Sequence, residues 1–261
     1  MSNQNDDDKK KIKKLLADAH QTGALSAKSL AALDVVDVGA QIQAGLGVTI
    51  DDVAASEVVL LTMMPDDSQS IAAANNTDAV KDGHNYVIEA MLRSKQSGEV
   101  LAHTRYLNGD VLFPYNALQH AVQMTSANYN PCHGTPLFDQ TVVLLGTVIA
   151  KAQELAQAGI AVRTVTLIIT DGGDYGSQRC RATDVAAIVQ DMLAQENHIV
   201  AAMGIHDGST DFKKVFKSMG IPDRWILTPG NSASEIRRAF QVFSQSAVRA
   251  AAGVQLGGFS N

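Results

Sequence analysis

The sequence predicts a doubly wound α/β fold, in which a mostly parallel six-stranded sheet has helices on both faces and one antiparallel edge strand. Apolar runs typical of buried strands alternate with helical patterns, which favours parallel strands joined by right-handed crossovers. An Asn108-Gly109 pair between two short strand-like segments favours a tight hairpin, which would supply the antiparallel edge. A chain of 261 residues with 46% hydrophobic content is long enough to bury one large core.

The elements follow from periodicity and from turn residues. Runs rich in Val, Ile, Leu and Thr predict strands at 58–64, 100–106, 111–113, 163–170, 199–205 and 225–228. Apolar positions three and four residues apart predict helices at 9–20, from Ser70 to Leu92 with an interruption at 75–78, and at 141–158, 183–192, 211–219 and 232–251. Thr183 or Asp184 can cap the helix near 183.

Three regions are expected along the chain. Residues 1–52 should form a helical N-terminal extension whose first eight residues are disordered. Residues 53–252 should form the α/β domain, and residues 253–261 a flexible tail. The sequence does not indicate what the extension does.

Charge and motif content exclude several classes of function. The formal net charge of −6 disfavours a broad nucleic-acid-binding surface. The polar, acidic start and the absence of an apolar run of about 18 residues predict a cytoplasmic protein without a membrane partner. Gly45-Leu46-Gly47 lacks the third glycine of a dinucleotide fingerprint, and there is no P-loop or GxSxG elbow.

One predicted strand ends in a group of oxygen-bearing side chains. The apolar run 58–64 leads through Pro65 into the pattern Asp66-x-Ser68-x-Ser70. In an open α/β sheet, ligands bind beyond the carboxyl ends of the strands. Carboxylate and hydroxyl oxygens are hard donors, so this loop predicts a site for a cation such as Mg²⁺.

Two later stretches complete a pattern of three parts. A Gly134-Thr135-Pro136-Leu137 turn precedes a helical segment, and Thr170-Asp171-Gly172 follows the strand predicted at 163–170. The DxSxS, GTPL and TDG segments in this order resemble the metal-ion-dependent adhesion site (MIDAS) of the von Willebrand factor type A (vWA) domain. Among proteins with this domain, the chain looks like the standalone, intracellular bacterial type.

The resemblance implies a set of metal ligands and a Rossmann-like topology. The implied ligands are Asp66, Ser68, Ser70, Thr135 and Asp171, the last acting directly or through water. In the strand order of vWA domains, the strand ends that carry DxSxS and TDG are neighbours where the winding reverses, so Asp66 and Asp171 should meet. The implied cofactor is Mg²⁺, and Mn²⁺ or Ca²⁺ is also compatible.

The same resemblance predicts a metal-dependent protein–protein interaction module that serves as an adaptor or scaffold. Neutral hydroxyl ligands quench little of the cation's charge, so an open coordination position favours a carboxylate from an Asp or Glu of a partner protein. Soluble proteins of this kind often bind AAA+ ATPases or belong to multi-protein assemblies. Binding should disappear when a chelator removes the metal.

Alternatives remain open for each part of the pattern. Ser68, Ser70 and Thr135 could cap helices, and Asp171 could form an Asx-turn before Gly172. A metal-dependent hydrolase could use Asp66 or Asp67 as nucleophile or base, although the DxDxT pattern of aspartyl phosphotransferases is absent. Pro65, Asp67 and Gln69 depart from the commonest MIDAS pattern, which leaves the affinity and the metal preference open.

The cysteines and the remaining histidines have simpler interpretations. Cys132 and Cys180 are expected to be reduced, inert thiols rather than a redox pair, and a metal site at Cys132-His133 lacks the CxxC spacing. His206-Asp207 is expected to cap a loop rather than contact a partner. Four histidines with no shared spacing are interpreted as ordinary surface or core residues, namely His84, His103, His120 and His198.

Overall fold

Six strands form the centre of the molecule. The computed structural model describes residues 2–34 and 38–259, with side chains from residue 9 onward. The strands are β1 (Glu57–Met64), β2 (Val100–Arg105), β3 (Val111–Ala117), β4 (Ala161–Thr170), β5 (His198–Gly204) and β6 (Ile226–Leu227). They lie in the order β3-β2-β1-β4-β5-β6, with β3 antiparallel to β2 and the other pairs parallel. The predicted sheet is confirmed.

The helices pack on both faces of this sheet. They are α1 (Ser2–Gln21), α2 (Ala27–Leu33), α3 (Val38–Leu46), α4 (Gln69–Ala73), α5 (Thr77–Leu92), α6 (Leu137–Gln157), α7 (Ala182–Ala194), α8 (Phe212–Ser218) and α9 (Ala233–Ala251). Helices α5 and α9 pack against each other, while α6 packs against α1, α3 and α7. Because both faces are covered, β1 is buried from Val58 to its end and has a continuous apolar run instead of an alternating pattern.

Local differences from the predicted helices have physical causes. The predicted interruption at 75–78 is confirmed for its first half, since Asn75 has a left-handed backbone (φ 58°) between α4 and α5. Thr77 and Asp78 already belong to α5. At α7 the N-cap residue is Arg181 rather than Thr183 or Asp184. Asp184 still contributes, because its carboxylate accepts the backbone N–H of Arg181 at 2.8 Å.

The N-terminal helices share the core of the α/β domain. Helix α1 is longer than the predicted 9–20 segment and includes residues 2–8, for which disorder was expected; Met1 lies outside the described residues. Ile12 and Ile42 are buried in the same apolar cluster as the sheet. The boundary at residue 52 stays a prediction, but the segment before it packs closely on the domain.

The C-terminal tail also has a defined contact. The Phe259 ring packs edge-on against Trp225, with 5.2 Å between ring centroids, so the tail predicted to be flexible lies on the domain at this point. Ser260 and Asn261 lie outside the described residues. Among the described helices, none has both the length and the apolar character needed to span a membrane.

Candidate metal centre

The carboxyl ends of β1 and β4 bring the two predicted carboxylates together. The strands are parallel neighbours, with Met64 paired to Ile168, and the chain winds outward from them in opposite directions. One oxygen of Asp66 accepts the hydroxyl of Thr170 at 2.7 Å and the backbone N–H of Asp171 at 3.3 Å. The predicted meeting of Asp66 and Asp171 at the topological switch point is therefore confirmed.

Three side-chain oxygens form a compact triangle beside Asp66. The hydroxyl oxygens of Ser68 and Ser70 are 2.9 Å apart, and Ser70 Oγ lies 2.6 Å from Asp171 Oδ1. Ser68 Oγ lies 3.4 Å from the same carboxylate oxygen. In an octahedral magnesium site with metal–oxygen distances of about 2.1 Å, adjacent ligand oxygens are about 3.0 Å apart. The donor types and their spacing therefore fit a small divalent cation.

Backbone hydrogen bonds attach the segment around GTPL to the loop that carries Ser68 and Ser70. Gln69 donates its N–H to the carbonyl of His133 at 3.0 Å. Two residues later, Thr135 exchanges two backbone hydrogen bonds with Tyr175, at 3.1 and 2.8 Å. Thr135 itself is buried. The DxSxS, GTPL and TDG segments thus belong to one cluster of loops.

Helix capping does not account for these hydroxyl groups. Ser68 is the N-cap residue of α4, but its side chain makes no capping hydrogen bond. At the start of α6 the N-cap residue is Pro136, and the N–H groups of Phe138 and Asp139 donate to Ser177 Oγ at 3.1 and 3.0 Å. The sequence allowed Ser68 and Thr135 to be helix caps, but neither side chain caps the helix that follows it.

The Asp171 carboxylate is directed at the serine hydroxyls of the loop that follows β1. It accepts the Ser70 hydroxyl, and the N–H of Gly172 bonds to Thr170 Oγ1 at 3.1 Å. Thr170 therefore orients both Asp66 and the glycine turn, a role that the sequence analysis missed although Thr170 is part of the TDG motif.

The cluster contains negative charge that burial disfavours. Burial raises the pKa of Asp66, although hydrogen bonds from Ser68 and Thr170 partly oppose this shift. Burial also raises the pKa of Asp171 to about 6, and the nearby charge of Asp66 adds to the effect. Adjacent buried carboxylates are costly unless positive charge compensates them. A bound cation would supply that charge.

Asp67 has a different role from the one its sequence position suggests. Its side chain is 3% exposed, and Asp67 Oδ1 accepts the backbone N–H of Asn108 at 2.9 Å. Its carbonyl accepts the N–H groups of Cys132 and His133 at 3.0 and 3.1 Å. Asp67 therefore joins the loop that follows β1 to the β2–β3 turn and to the segment that leads into GTPL. No sequence signal pointed to the contact with Asn108.

The other candidate residues have structural roles. Cys132 is exposed, Cys180 is buried, and both are free thiols; burial raises the pKa of Cys180 to about 12. Asp207 accepts the N–H groups of Ser209 and Thr210 at 2.8 and 2.7 Å, which confirms the loop cap. His84, His103 and His198 are buried and hydrogen-bonded, His84 through both ring nitrogens and the other two through Nδ1. His120 is exposed.

The described residues contain no cluster of three or more His, Cys, Asp or Glu side chains that could hold a metal. The candidate centre does not need such a cluster, because it combines two carboxylates with hydroxyl groups. Oxygen donors of these types suit hard divalent cations, without histidine or thiolate ligands.

Comparison with known proteins identifies the fold. Neither protein-family models nor curated proteins match the sequence. Among solved structures, proximal thread matrix protein 1 from the mussel byssus has a TM-score of 0.51 and 16% identity over 74% of this chain and 48% of its own. The pilus adhesin SpaC from Lactobacillus rhamnosus GG, in its open conformation, has a TM-score of 0.52 and 12% identity over 74% of this chain and 30% of its own. The fold is that of a vWA domain.

Two further results complete the comparison. The SpRpn10 VWA domain has a TM-score of 0.47 and 8% identity, over 70% of this chain and 93% of its own. The mussel protein has also been solved with a zinc-occupied MIDAS motif. This chain spans about half the length of the mussel protein and less than a third of the adhesin. At these identities the likeness concerns the vWA fold and not the activity.

Proposed function

We propose that this vWA protein is a metal-dependent protein–protein interaction module. In this proposal Asp66, Ser68, Ser70, Thr135 and Asp171 hold Mg²⁺, and an Asp or Glu of a partner protein completes the coordination. The observation that carries the proposal is the triangle of Ser68, Ser70 and Asp171 oxygens, with separations of 2.6 to 3.4 Å, at the switch point of the sheet.

The donor set supports both the ion and the type of partner. When bound, the cation would supply a concentrated positive charge, and the neutral hydroxyl ligands would leave that charge largely unquenched. Mg²⁺ keeps exchangeable waters in its coordination shell, one of which a carboxylate can replace. Two of the three oxygen separations, 2.6 and 2.9 Å, are shorter than the spacing expected around Mg²⁺, which favours Mg²⁺ or Mn²⁺ over the larger Ca²⁺.

The surface beside the centre supports an interaction with another protein. Tyr175 is 81% exposed, yet its backbone is fixed to Thr135 by two hydrogen bonds. The rest of this loop is held at the start of α6, where Asp139 accepts the N–H groups of Gln178 and Cys180 at 2.9 and 2.7 Å. A tyrosine on a rigid loop loses little entropy on binding and is a common interface anchor.

The partner would have to present a carboxylate that reaches the cation next to Tyr175. An AAA+ ATPase or another multi-protein assembly, the classes suggested by the resemblance, would have to meet this requirement. The same requirement applies to any other protein partner.

The geometry does not favour the hydrolase alternative. Asp66 is fully buried and its two carboxylate oxygens accept hydrogen bonds from Ser68, Thr170 and Asp171. Asp67 is 3% exposed and is bonded to the β2–β3 turn. A nucleophile or general base must reach the substrate, and neither carboxylate has the exposed position that this requires.

Titration calorimetry of Mg²⁺ and Mn²⁺ into EDTA-stripped protein tests the metal site. We expect one-to-one binding by the wild type and its loss in Asp171→Ala and Thr135→Ala. The matched control is Asp207→Ala, which removes a carboxylate with two hydroxyl donors, Ser209 and Thr210, from the end of the neighbouring strand β5. Equal binding by all four proteins would place the metal elsewhere and overturn the proposal.

A second titration tests the partner chemistry. The probe is the tetrapeptide Gly-Gly-Asp-Gly, capped at both ends, and its control is the Asn-containing analogue. Backbone amide NMR shifts in the 171–177 loop should respond to the Asp peptide at millimolar concentration only when Mg²⁺ is present. An equal response to both peptides, or a response that survives EDTA, would rule out a carboxylate bridge.

A further inference from the structure

Arg105 is a buried cation that connects three separate parts of the molecule. Its residue is 1% exposed and lies at the end of β2. The guanidinium donates to the carbonyl of Gly109 at 3.0 Å, and at 3.4 Å each to the carbonyl of Gln41 in α3 and the hydroxyl of Thr147 in α6. These acceptors are neutral. Burial lowers the pKa of Arg105 to about 10.

A buried charge with neutral partners is expensive to keep for stability alone, since an apolar side chain of similar volume often fits as well. What Arg105 provides that an apolar side chain cannot is orientation. Its planar guanidinium holds several carbonyl and hydroxyl oxygens at fixed relative positions. The elements that it connects therefore indicate its role.

The turn that Arg105 holds is attached to the candidate metal loop. Gly109 belongs to the tight turn between β2 and β3. In the same turn, Asn108 donates its N–H to Asp67 Oδ1 at 2.9 Å, and Leu107 donates its N–H to the carbonyl of Pro65 at 3.1 Å. Pro65 and Asp67 flank Asp66, so the position of the turn fixes the backbone on both sides of that proposed ligand.

The other end of this connection lies in the N-terminal extension. Helix α3 packs closely on the strands and on α6. A Cβ atom added at Gly45 would lie 2.6 Å from Thr147 Cγ2 and 3.0 Å from His103 Nε2. Just beyond the helix, Val48 donates its N–H to Tyr115 in β3 at 2.8 Å. A small displacement of α3 would therefore move Gln41 and alter the contacts of Arg105.

We propose that Arg105 is a positioning residue for the candidate metal centre and that α3 acts on the centre through it. The proposal rests on the function proposed above. It assigns to the N-terminal extension a role in setting the affinity for the cation, and hence for a carboxylate partner. The physical connection runs from α3 to Arg105, from Arg105 to the β2–β3 turn, and from the turn to Asp67.

A double-mutant cycle tests the connection within the domain. Arg105→Met and Asp67→Ala are prepared singly and together, and Mg²⁺ affinity is measured by calorimetry. Each single substitution should weaken binding about tenfold, and the double variant should be weakened little further, because both remove the same restraint. Purely structural damage would lower thermal stability and give independent effects, which would multiply to about a hundredfold and overturn the proposal.

A pair of glycine substitutions tests the contribution of α3 without removing a charge. Gly45→Ala forces α3 away from Thr147, whereas Gly39→Ala in the same helix places its Cβ where no described atom lies within 4 Å. Both changes replace a helical glycine with the better helix former alanine. We expect Mg²⁺ affinity to fall severalfold in Gly45→Ala and to stay unchanged in Gly39→Ala. Equal affinities in the two variants would overturn the role of α3.

Hydrogen exchange in metal-free protein separates this proposal from the metal site itself. The Asn108 amide, which bonds to Asp67, should exchange about tenfold faster in Arg105→Met than in the wild type. If the wild type bound no Mg²⁺, the proposed function would fail while faster exchange would still support the connection from Arg105 to the loop. Unchanged exchange at Asn108 would overturn that connection whether or not Mg²⁺ binds.

Discussion

Two serine pairs in this protein have the same local setting and different partners. Ser68 and Ser70 begin α4, and Ser232 and Ser234 begin α9, each as an N-cap residue and the second residue of the helix. The N-cap backbones are similar, with φ and ψ of −71° and 158° at Ser68 and −78° and 142° at Ser232. The paired hydroxyl oxygens are 2.9 and 3.2 Å apart. Ser232 caps its helix and Ser68 does not.

The residue three positions after the N-cap explains one half of this difference. After Ser232 this residue is Glu235, whose N–H donates to the Ser232 hydroxyl and whose carboxylate accepts from it. Both bonds hold the Ser232 hydroxyl at the start of α9. After Ser68 the equivalent residue is Ile71, which is fully buried, has no polar side chain and donates its N–H to the Ser68 carbonyl at 3.2 Å.

The spatial neighbour explains the other half. Asp171, more than a hundred residues away in the sequence, lies beside the Ser68 and Ser70 hydroxyls. A Ser-x-Ser pattern at a helix start therefore becomes a candidate ligand pair only where the fold places a carboxylate opposite it. Local sequence alone does not distinguish the two pairs.

Removing both hydroxyls from each pair should produce the largest contrast. Ser68→Ala/Ser70→Ala should weaken Mg²⁺ binding about a hundredfold or more, because it deletes two proposed ligands and even changes outside the ligand shell can cost 10- to 100-fold. Ser232→Ala/Ser234→Ala should leave the affinity within about twofold. Calorimetry under identical conditions measures both. A similar loss in the two double variants would indicate a general effect of destabilised helices.

Lowering the pH should weaken Mg²⁺ binding by less than removing the Ser68 and Ser70 hydroxyls does. A carboxylate must be deprotonated to bind a cation, and the pKa of Asp171 is raised to about 6. Protons therefore compete with the metal at a higher pH than they would at an ordinary Asp. We expect the apparent Mg²⁺ affinity to fall about tenfold for each pH unit below 6 and to level off above pH 7. A titration series from pH 7.5 to 5 measures this dependence, and a constant affinity down to pH 5 would contradict it.

The sequence predicted the sheet and the strand ends, because buried strands leave clear patterns. The meeting of Asp66 with Asp171 was implied by the resemblance to vWA domains, whose strand order makes the two strand ends neighbours. The sequence did not predict the role of Thr170, the bond between Asp67 and Asn108, or the buried Arg105. These contacts join residues from different strand ends and turns. Their geometry depends on tertiary packing, for which a single sequence has no periodic signal. The two serine pairs show that local sequence does not distinguish a helix cap from a pair of candidate metal ligands, because both use the same residue types.

The smallest expected effect is on stability, and it tests whether Ser68 is free of a capping role. In EDTA, Ser232→Ala should lower the free energy of unfolding by about 1 kcal/mol, the usual cost of losing an N-cap side chain. Ser68→Ala should lower it by only about 0.5 kcal/mol, because its hydroxyl caps no N–H group in α4 and what is lost is its bonding to Ser70 and, at 3.4 Å, to Asp171. Urea denaturation of the two variants and the wild type measures the difference. Equal losses would mean that Ser68 caps α4 when no metal is bound, so that binding of the cation would have to break that cap first.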